Sequence, residues 1–190
     1  MKKKLLMALL GIAIIVGGNF VYKKHINHNF EEISKNKVYK SGVIPPDQIA
    51  RFVDDYNLKS IIDLRFPGTE DLINNPEIPE ELLAEKEAVD NIEGVNYINL
   101  GTVQVPNEET VQKFLEIMDD ENNYPVLIHC HHGEGRAPLF SALYRIEYEN
   151  WSNEEARAKT RLFLTGSSFD DGAPKGDFLK NYQSRKNKNK

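Results

Sequence analysis

The chain has 190 residues, 40% hydrophobic and 28% charged, a balance that suits one globular domain with a core of its own. Residues 1–25 contribute five lysines and no acid to a net charge of −5, leaving −10 on the rest; so acidic a body argues against general nucleic-acid binding. A single cysteine, Cys130, rules out an internal disulfide and allows a reactive thiol to persist outside the cytosol.

Lys2-Lys3-Lys4 precede an apolar run from Leu5 to Gly18, followed by Asn19-Phe20-Val21-Tyr22 and Lys23-Lys24. A short, basic-led apolar run reads as a signal peptide. Extended through Tyr22, it is just long enough for a single membrane anchor. No A-x-A cleavage signal is apparent, and no cysteine offers a lipobox. Either way Lys2 to Lys4 stay inside and the domain is exported, anchored facing outward or released as a periplasmic or secreted protein. Residues 1–25 are therefore expected to be this segment, 26–36 a linker, 37–184 the folded domain, and 185–190 a solvated basic tail.

Elements follow in alternation. Val38–Ser41 reads as a short strand. Pro45-Pro46-Asp47 opens a helix through Tyr56, with Ile49, Phe52 and Val53 on one face. Ser60–Leu64 is a strand, Pro79–Asn91 a helix after a polar, proline-marked loop, and Val95–Leu100 an alternating strand. Glu108–Asp119 carries Val111, Phe114, Leu115 and Met118 at helical spacing, with Asn107 as its N-cap. Val126–His129 is the central strand, followed by helices near Arg136–Glu149 and Asn153–Leu164, the latter opened by a Ser152/Glu155 capping box. Gly176–Ser184 makes a final short helix, and no internal repeat occurs. Strands alternating with helices predict an α/β fold: a central, mostly parallel sheet flanked by helices, with an anion bound at the carboxyl end of a central strand.

The chemistry concentrates in Ile128-His129-Cys130-His131-His132-Gly133-Glu134-Gly135-Arg136, a strand end, a tight loop and a helix start. Such a loop turns successive backbone N–H groups inward and the helix dipole adds positive potential, which makes an anion site. Gly133 and Gly135 allow close approach of backbone to the anion, and Arg136 is able to grip two of its oxygens. A free cysteine ionises near pH 8.5, but a helix N-terminus beside a cation lowers that to roughly 3.5–7.5. Cys130 is thus expected as a nucleophile at the base of a bound phosphate. Two blander readings compete. A lone cysteine after an apolar strand is commonly an inert core residue, but the glycines and Arg136 outweigh that here. His129, Cys130, His131 and His132 form a cluster, yet adjacent loop residues seldom converge on one ion and the spacings of zinc sites are absent, so neither metal nor cofactor is expected. His129 is either a tuning residue or a satisfied buried histidine.

The His-Cys-x5-Arg spacing resembles that of the cysteine-dependent protein-tyrosine phosphatase superfamily, in its compact dual-specificity branch. Val38-Tyr39-Lys40-Ser41-Gly42, Ile61-Ile62-Asp63-Leu64-Arg65, Tyr124-Pro125-Val126-Leu127-Ile128 and Trp151-Ser152-Asn153-Glu154-Glu155-Ala156 are similar to segments of small bacterial and atypical eukaryotic members, in the same order. The resemblance implies a metal-independent phosphomonoesterase that forms a phosphocysteine on Cys130. In it Arg136 and the loop residues His131, His132, Gly133, Glu134 and Gly135 hold the phosphate, and His129 tunes the thiolate. Two positions depart from the family. The residue after the arginine is usually Ser or Thr, whose hydroxyl supports the sulfur and the second step; here it is Ala137. The aspartate that usually protonates the leaving oxygen, about thirty residues before the cysteine, has no counterpart in Tyr97–Pro106. Asp90 lies upstream of a strand, Glu108 and Glu109 fit a first helical turn, and Glu134 lies inside the loop; the sequence singles out none of them.

These departures keep a pseudophosphatase, a phosphate-binding module with little turnover, as the alternative. A rhodanese-like sulfurtransferase also cradles a cysteine but is disfavoured by Arg136. The expected partner is a phosphoprotein or small phosphorylated substrate, with the membrane added if the N-terminal segment is uncleaved. Phosphotyrosine, phosphoserine, inositol phosphates and lipid headgroups all fit the loop. His131 and His132 lack the fixed charge of a pocket for highly anionic inositol phosphates, which favours phosphoprotein.

Overall fold

The computed structural model describes residues 7, 10–11, 16–19, 21–66, 78–161 and 166–188. Five strands form one sheet in the order β1-β2-β5-β3-β4, where β1 is Glu31–Ser34, β2 Val38–Ser41, β3 Ser60–Asp63, β4 Asn96–Asn99 and β5 Val126–His129. β2, β5, β3 and β4 run parallel, with Val38 and Ser60 both opposite Val126, so their carboxyl ends lie level. β1 pairs antiparallel with β2.

Period-two alternation along the central strands serves two layers. Ile61, Leu127 and Tyr39 face a core made with α1 (Pro46–Tyr56) and α2 (Pro79–Asp90), which contribute Ile49, Phe52, Val53 and Val89. Ile62, Val126, Ile128 and Val38 face the other core, with α3 (Glu108–Asp119), α4 (Arg136–Tyr148), α5 (Asn153–Thr160) and α6 (Pro174–Asn181). α4 runs through the middle of that layer and is buried from Arg136 through Glu147. A short helix, α7 (Arg185–Lys188), follows α6.

Local chemistry sets the ends. Pro46 opens α1 and Asn57, at φ +52°, closes it in the left-handed conformation that asparagine tolerates. Asn107 Oδ1 accepts from Thr110 N at 2.8 Å, and Ser152 and Glu155 form the expected capping box.

Three expectations change. Residues 31–34, expected in a linker, form β1. A turn at Asn36 (φ +53°), with Lys37 N donating to Ser34 O at 3.0 Å, folds the segment back onto β2. Ile33 is thereby buried in the α4 layer, and the Phe30 ring stacks on Tyr39 at 5.3 Å. Arg185, expected in a solvated tail, docks instead. Its guanidinium binds Asp119 (Nη1–Oδ2, 2.6 Å) and the buried Glu147 (Nε–Oε2, 3.2 Å), because both carboxylates lie at the helix ends where the chain passes. The final helix begins at Pro174 rather than Gly176 and ends at Asn181, before Arg185–Lys188 resumes helical structure. The N-terminal segment falls mostly outside the described residues. Among those described, Tyr22–Ile26 form a π-helical turn, and no helix is long and apolar enough to cross a membrane.

Candidate active site

The parallel strands end on one edge of the sheet, and the Cys130 loop leaves β5 there, between β2 and β3. Its carbonyls are tied to the surroundings. Val43 N donates to His131 O at 3.0 Å, Asn29 Nδ2 to His132 O at 2.8 Å, and Leu64 N to His129 O at 3.0 Å. Among the described residues no backbone carbonyl takes the N–H groups of His131 to Gly135, which leaves a run of donors for an anion. Gly133 has φ +70°, and a Cβ there would stand 2.5 Å from Gly42 N; only glycine lets the loop pack on the end of β2.

Cys130 is 3% exposed and Arg136 2%, at the first position of α4. The Arg136 guanidinium is braced from below: Nη1 donates to Leu64 O at 2.7 Å and to Thr102 O at 3.0 Å. Those carbonyls follow β3 and β4, so the ends of two strands brace the arginine. Ala137 is fully buried, and its carbonyl accepts from Ser141 Oγ at 2.8 Å. The expected loop residues Cys130 to Arg136 are thus brought together around one cradle, with His129 directly beneath it.

His129 belongs to a buried ionic network. Its Nε2 approaches Glu85 Oε1 at 2.8 Å and Asp63 Oδ1 at 3.7 Å. Arg65 binds Asp63 (Nη2–Oδ2, 2.8 Å) and also Glu85, and the Tyr97 hydroxyl donates to Asp63 Oδ2 at 2.6 Å. Burial opposes the imidazolium, but Glu85 and then Asp63 prevail and hold the His129 pKa above the ordinary histidine range. Burial likewise works against the Asp63 carboxylate, and His129 followed by Arg65 overcomes it and holds Asp63 below the usual carboxylate range. Asp63, Glu85 and His129 converge within 4.8 Å, the spacing of a cation site, but Arg65 already bridges both carboxylates. For His131, burial, then His132, Arg65 and Arg136 push the pKa down, so its ring adds no fixed charge to the cradle.

The carboxylates left open as leaving-group acids find other partners. Asp90 pairs with Lys86 one turn away, Glu109 with Lys113 at 2.8 Å, and Glu134 Oε1 accepts from Asn29 Nδ2 at 3.3 Å, while Glu108 lines a separate cavity with Asp177, Tyr182 and Arg185. Glu134 also lines a cavity of about 460 Å³ with Lys23, Lys40 and Arg145. Two site residues escape a reading of sequence: Glu85, on α2, and Lys175, on α6. The Lys175 ammonium lies 3.1 Å from the point a Cβ on Gly135 would occupy, with Gln104 Oε1 3.2 Å from the same point. No local pattern marks either, since each is an ordinary charged residue of a helix.

Known proteins share this fold. The chain superposes on the core catalytic domain of the PP-IP phosphatase SIW14 from S. cerevisiae, solved with citrate (TM-score 0.59, 23% identity, 82% of this chain and 85% of that one). It also superposes on a cysteine-to-serine form of P. aeruginosa TpbA solved with phosphotyrosine (TM-score 0.55, 21% identity, 81% and 89%). The dual specificity protein phosphatase TpbA of Pseudomonas aeruginosa is 36% identical over 53 residues, 28% of this chain; the match spans about a quarter (24%) of that relative's length. A family model described as "DSP-PTPase phosphatase fused to NAD+ Kinase" matches residues 14–172, most of the chain, and so the chain belongs to this family of dual-specificity-type cysteine phosphatases.

Proposed function

We propose that the protein hydrolyses phosphomonoesters through a phosphocysteine on Cys130, without a metal. The observation that carries this reading is the cradle itself: a buried sulfur, a run of N–H groups and a braced guanidinium at the carboxyl end of the central parallel strand. The Cys130 sulfur attacks phosphorus in line while the loop N–H groups and Arg136 stabilise charge on the equatorial oxygens. Water then cleaves the S–P bond, releasing phosphate and the thiolate. His129, held by Glu85 and Asp63, supports the base of the loop. The substrate class favoured is a phosphoprotein. TpbA has been solved with phosphotyrosine, and the low pKa of His131 deprives this loop of the charge that a highly anionic inositol phosphate would need. Hydrolysis of phosphotyrosine peptides in the presence of a chelator, lost in Cys130→Ser, tests the reading.

A phosphate-binding module without turnover is the second reading, favoured by Ala137 and by the absence of a carboxylate from Leu100–Pro106. It predicts that wild type binds an aryl phosphate but releases no phenol. The lysine-flanked apolar run supports export of the domain, as an anchored or a processed protein. Full-length protein recovered intact from the cytosol would contradict export.

A further inference from the structure

The segment that delivers Lys175 is rigidly built. Pro174 opens α6, and the next turn packs so closely that a Cβ on Gly176 would meet Asp170 O at 2.1 Å and Phe169 O at 2.7 Å. Phe169 O accepts from Arg157 Nη1 at 3.0 Å, and that buried guanidinium is held by Glu154 at 2.8 Å. Asp170 Oδ2 accepts from the N–H groups of Gly166 and Ser167 at 3.0 Å each, and Gly172 N donates to Asp177 Oδ1 at 2.9 Å. The brace leaves the Lys175 ammonium over Gly135, the residue before Arg136, in space that a side chain on Gly135 would fill.

Leu100–Pro106 contains no carboxylate, Asp90, Glu109 and Glu134 are engaged as described, and Glu108 lines a separate cavity with Asp177 and Arg185. Beside the loop the fold does place a proton-bearing cation, the Lys175 ammonium next to Gly135. We propose that Lys175 is the catalytic acid of this phosphatase, donating the proton that the leaving oxygen needs. As the S–P bond forms on Cys130 and the P–O bond to the leaving group breaks, the Lys175 ammonium passes one proton to that oxygen, which departs as an alcohol or phenol. In the second step the Lys175 amine takes a proton from the attacking water. The hydroxyl bonds to phosphorus, the S–P bond breaks toward sulfur, and phosphate, thiolate and ammonium are restored. Burial pushes the Lys175 pKa down from its ordinary value; Cys130 opposes that shift and Arg136 adds to it, a direction that suits proton donation near neutrality.

The inference rests on the phosphatase reading, and leaving-group dependence separates the two. Wild type, Lys175→Ala, Lys175→Gln, Lys175→Arg and Cys130→Ser are assayed on dinitrophenyl phosphate, whose phenolate leaves unaided, and on phenyl phosphate, whose phenolate needs a proton. Thermal melting checks each variant's fold, and any folded Lys175 variant suffices. Read as kcat/KM, which reports phosphorylation of Cys130 and not the later hydrolysis, the expected loss for Lys175→Ala or Lys175→Gln is about 10²–10⁴-fold on phenyl phosphate but less than about tenfold on dinitrophenyl phosphate. Lys175→Arg should fail in the same pattern, because a guanidinium keeps the charge but does not give up its proton. Equal losses on both substrates, rescue by arginine, or no loss would each overturn the assignment of the acid. Activity retained by Cys130→Ser would instead overturn the phosphatase reading beneath it.

Discussion

In the proposed mechanism Arg136 acts through shape as much as charge. Its Nη1 is committed to Leu64 O and Thr102 O, so the guanidinium plane is fixed before an anion arrives. A lysine at this position keeps the charge but cannot both brace and grip. Arg136→Lys should therefore lower kcat/KM by at least about a hundredfold, the loss of about 3 kcal/mol of transition-state stabilisation. A lysine variant near wild-type activity would contradict the role. In the proposed mechanism Ala137 bears on the second step. With no hydroxyl at this buried position, hydrolysis of the phosphocysteine should limit turnover of a good leaving group. Rapid mixing should then show a burst of phenol followed by a slow steady rate, and Ala137→Ser should raise that steady rate several-fold. Pro138 fixes the start of α4, so the less restricted serine should gain more than Ala137→Thr. Absence of a burst would shift the limiting step to leaving-group departure.

Each loop at the catalytic edge is held by a neighbouring element. The turn at Gly133 stands against the end of β2, so Gly133→Ala combines a positive φ with a Cβ 2.5 Å from Gly42 N. It should cost about 1–3 kcal/mol of stability and weaken phosphate binding together, as chemical denaturation and phosphate titration would read. β1 is the second such support. A chain beginning at Lys37 loses Phe30 and Ile33 from the two cores and should be less stable than one beginning at Phe30 by at least about 2 kcal/mol. Equal stabilities would show that β1 adds nothing. The central elements were legible in sequence because each carries its own periodicity and caps: Glu108–Asp119 with its N-cap and apolar stripe, and Val126–His129 as an apolar run, lie where expected. β1 was not, since four residues reading Glu-Glu-Ile-Ser show too little alternation, and charges are common on an edge strand. The docking of Arg185 was equally hidden, because its partners, Asp119 and Glu147, lie far away in the chain.

The same division governs the site across the whole molecule. Cys130, His131, His132, Gly133, Glu134, Gly135 and Arg136 are contiguous, so their spacing announced the cradle. Asp63, Glu85 and Lys175 come from three separate elements and meet it only through the fold. The network beneath the loop also sets the pH response. His129 is held above its ordinary pKa, so its contribution to stability is full below about pH 6.5 and is lost as pH rises through the folded value. Asp63 is held below its ordinary pKa, so its contribution is present above about pH 4 and is lost as pH falls through the folded value. Glu85→Gln removes the foremost charge favouring the imidazolium. It should cost about 1.5–3 kcal/mol near pH 6 and flatten the alkaline limb of a Tm-against-pH curve. An unchanged limb would assign that pH dependence to other groups.

The central claim is that Cys130 becomes phosphorylated during turnover. Acid quenching during the first turnovers of an aryl phosphate, followed by mass spectrometry of the peptides, tests it most directly. A phosphoryl group on the peptide bearing Cys130, present in wild type, more abundant than in Ala137→Ser and missing from Cys130→Ser, is the predicted result. Phenol release at full rate with no phosphoryl group on that peptide, or with the same rate in Cys130→Ser, would contradict it.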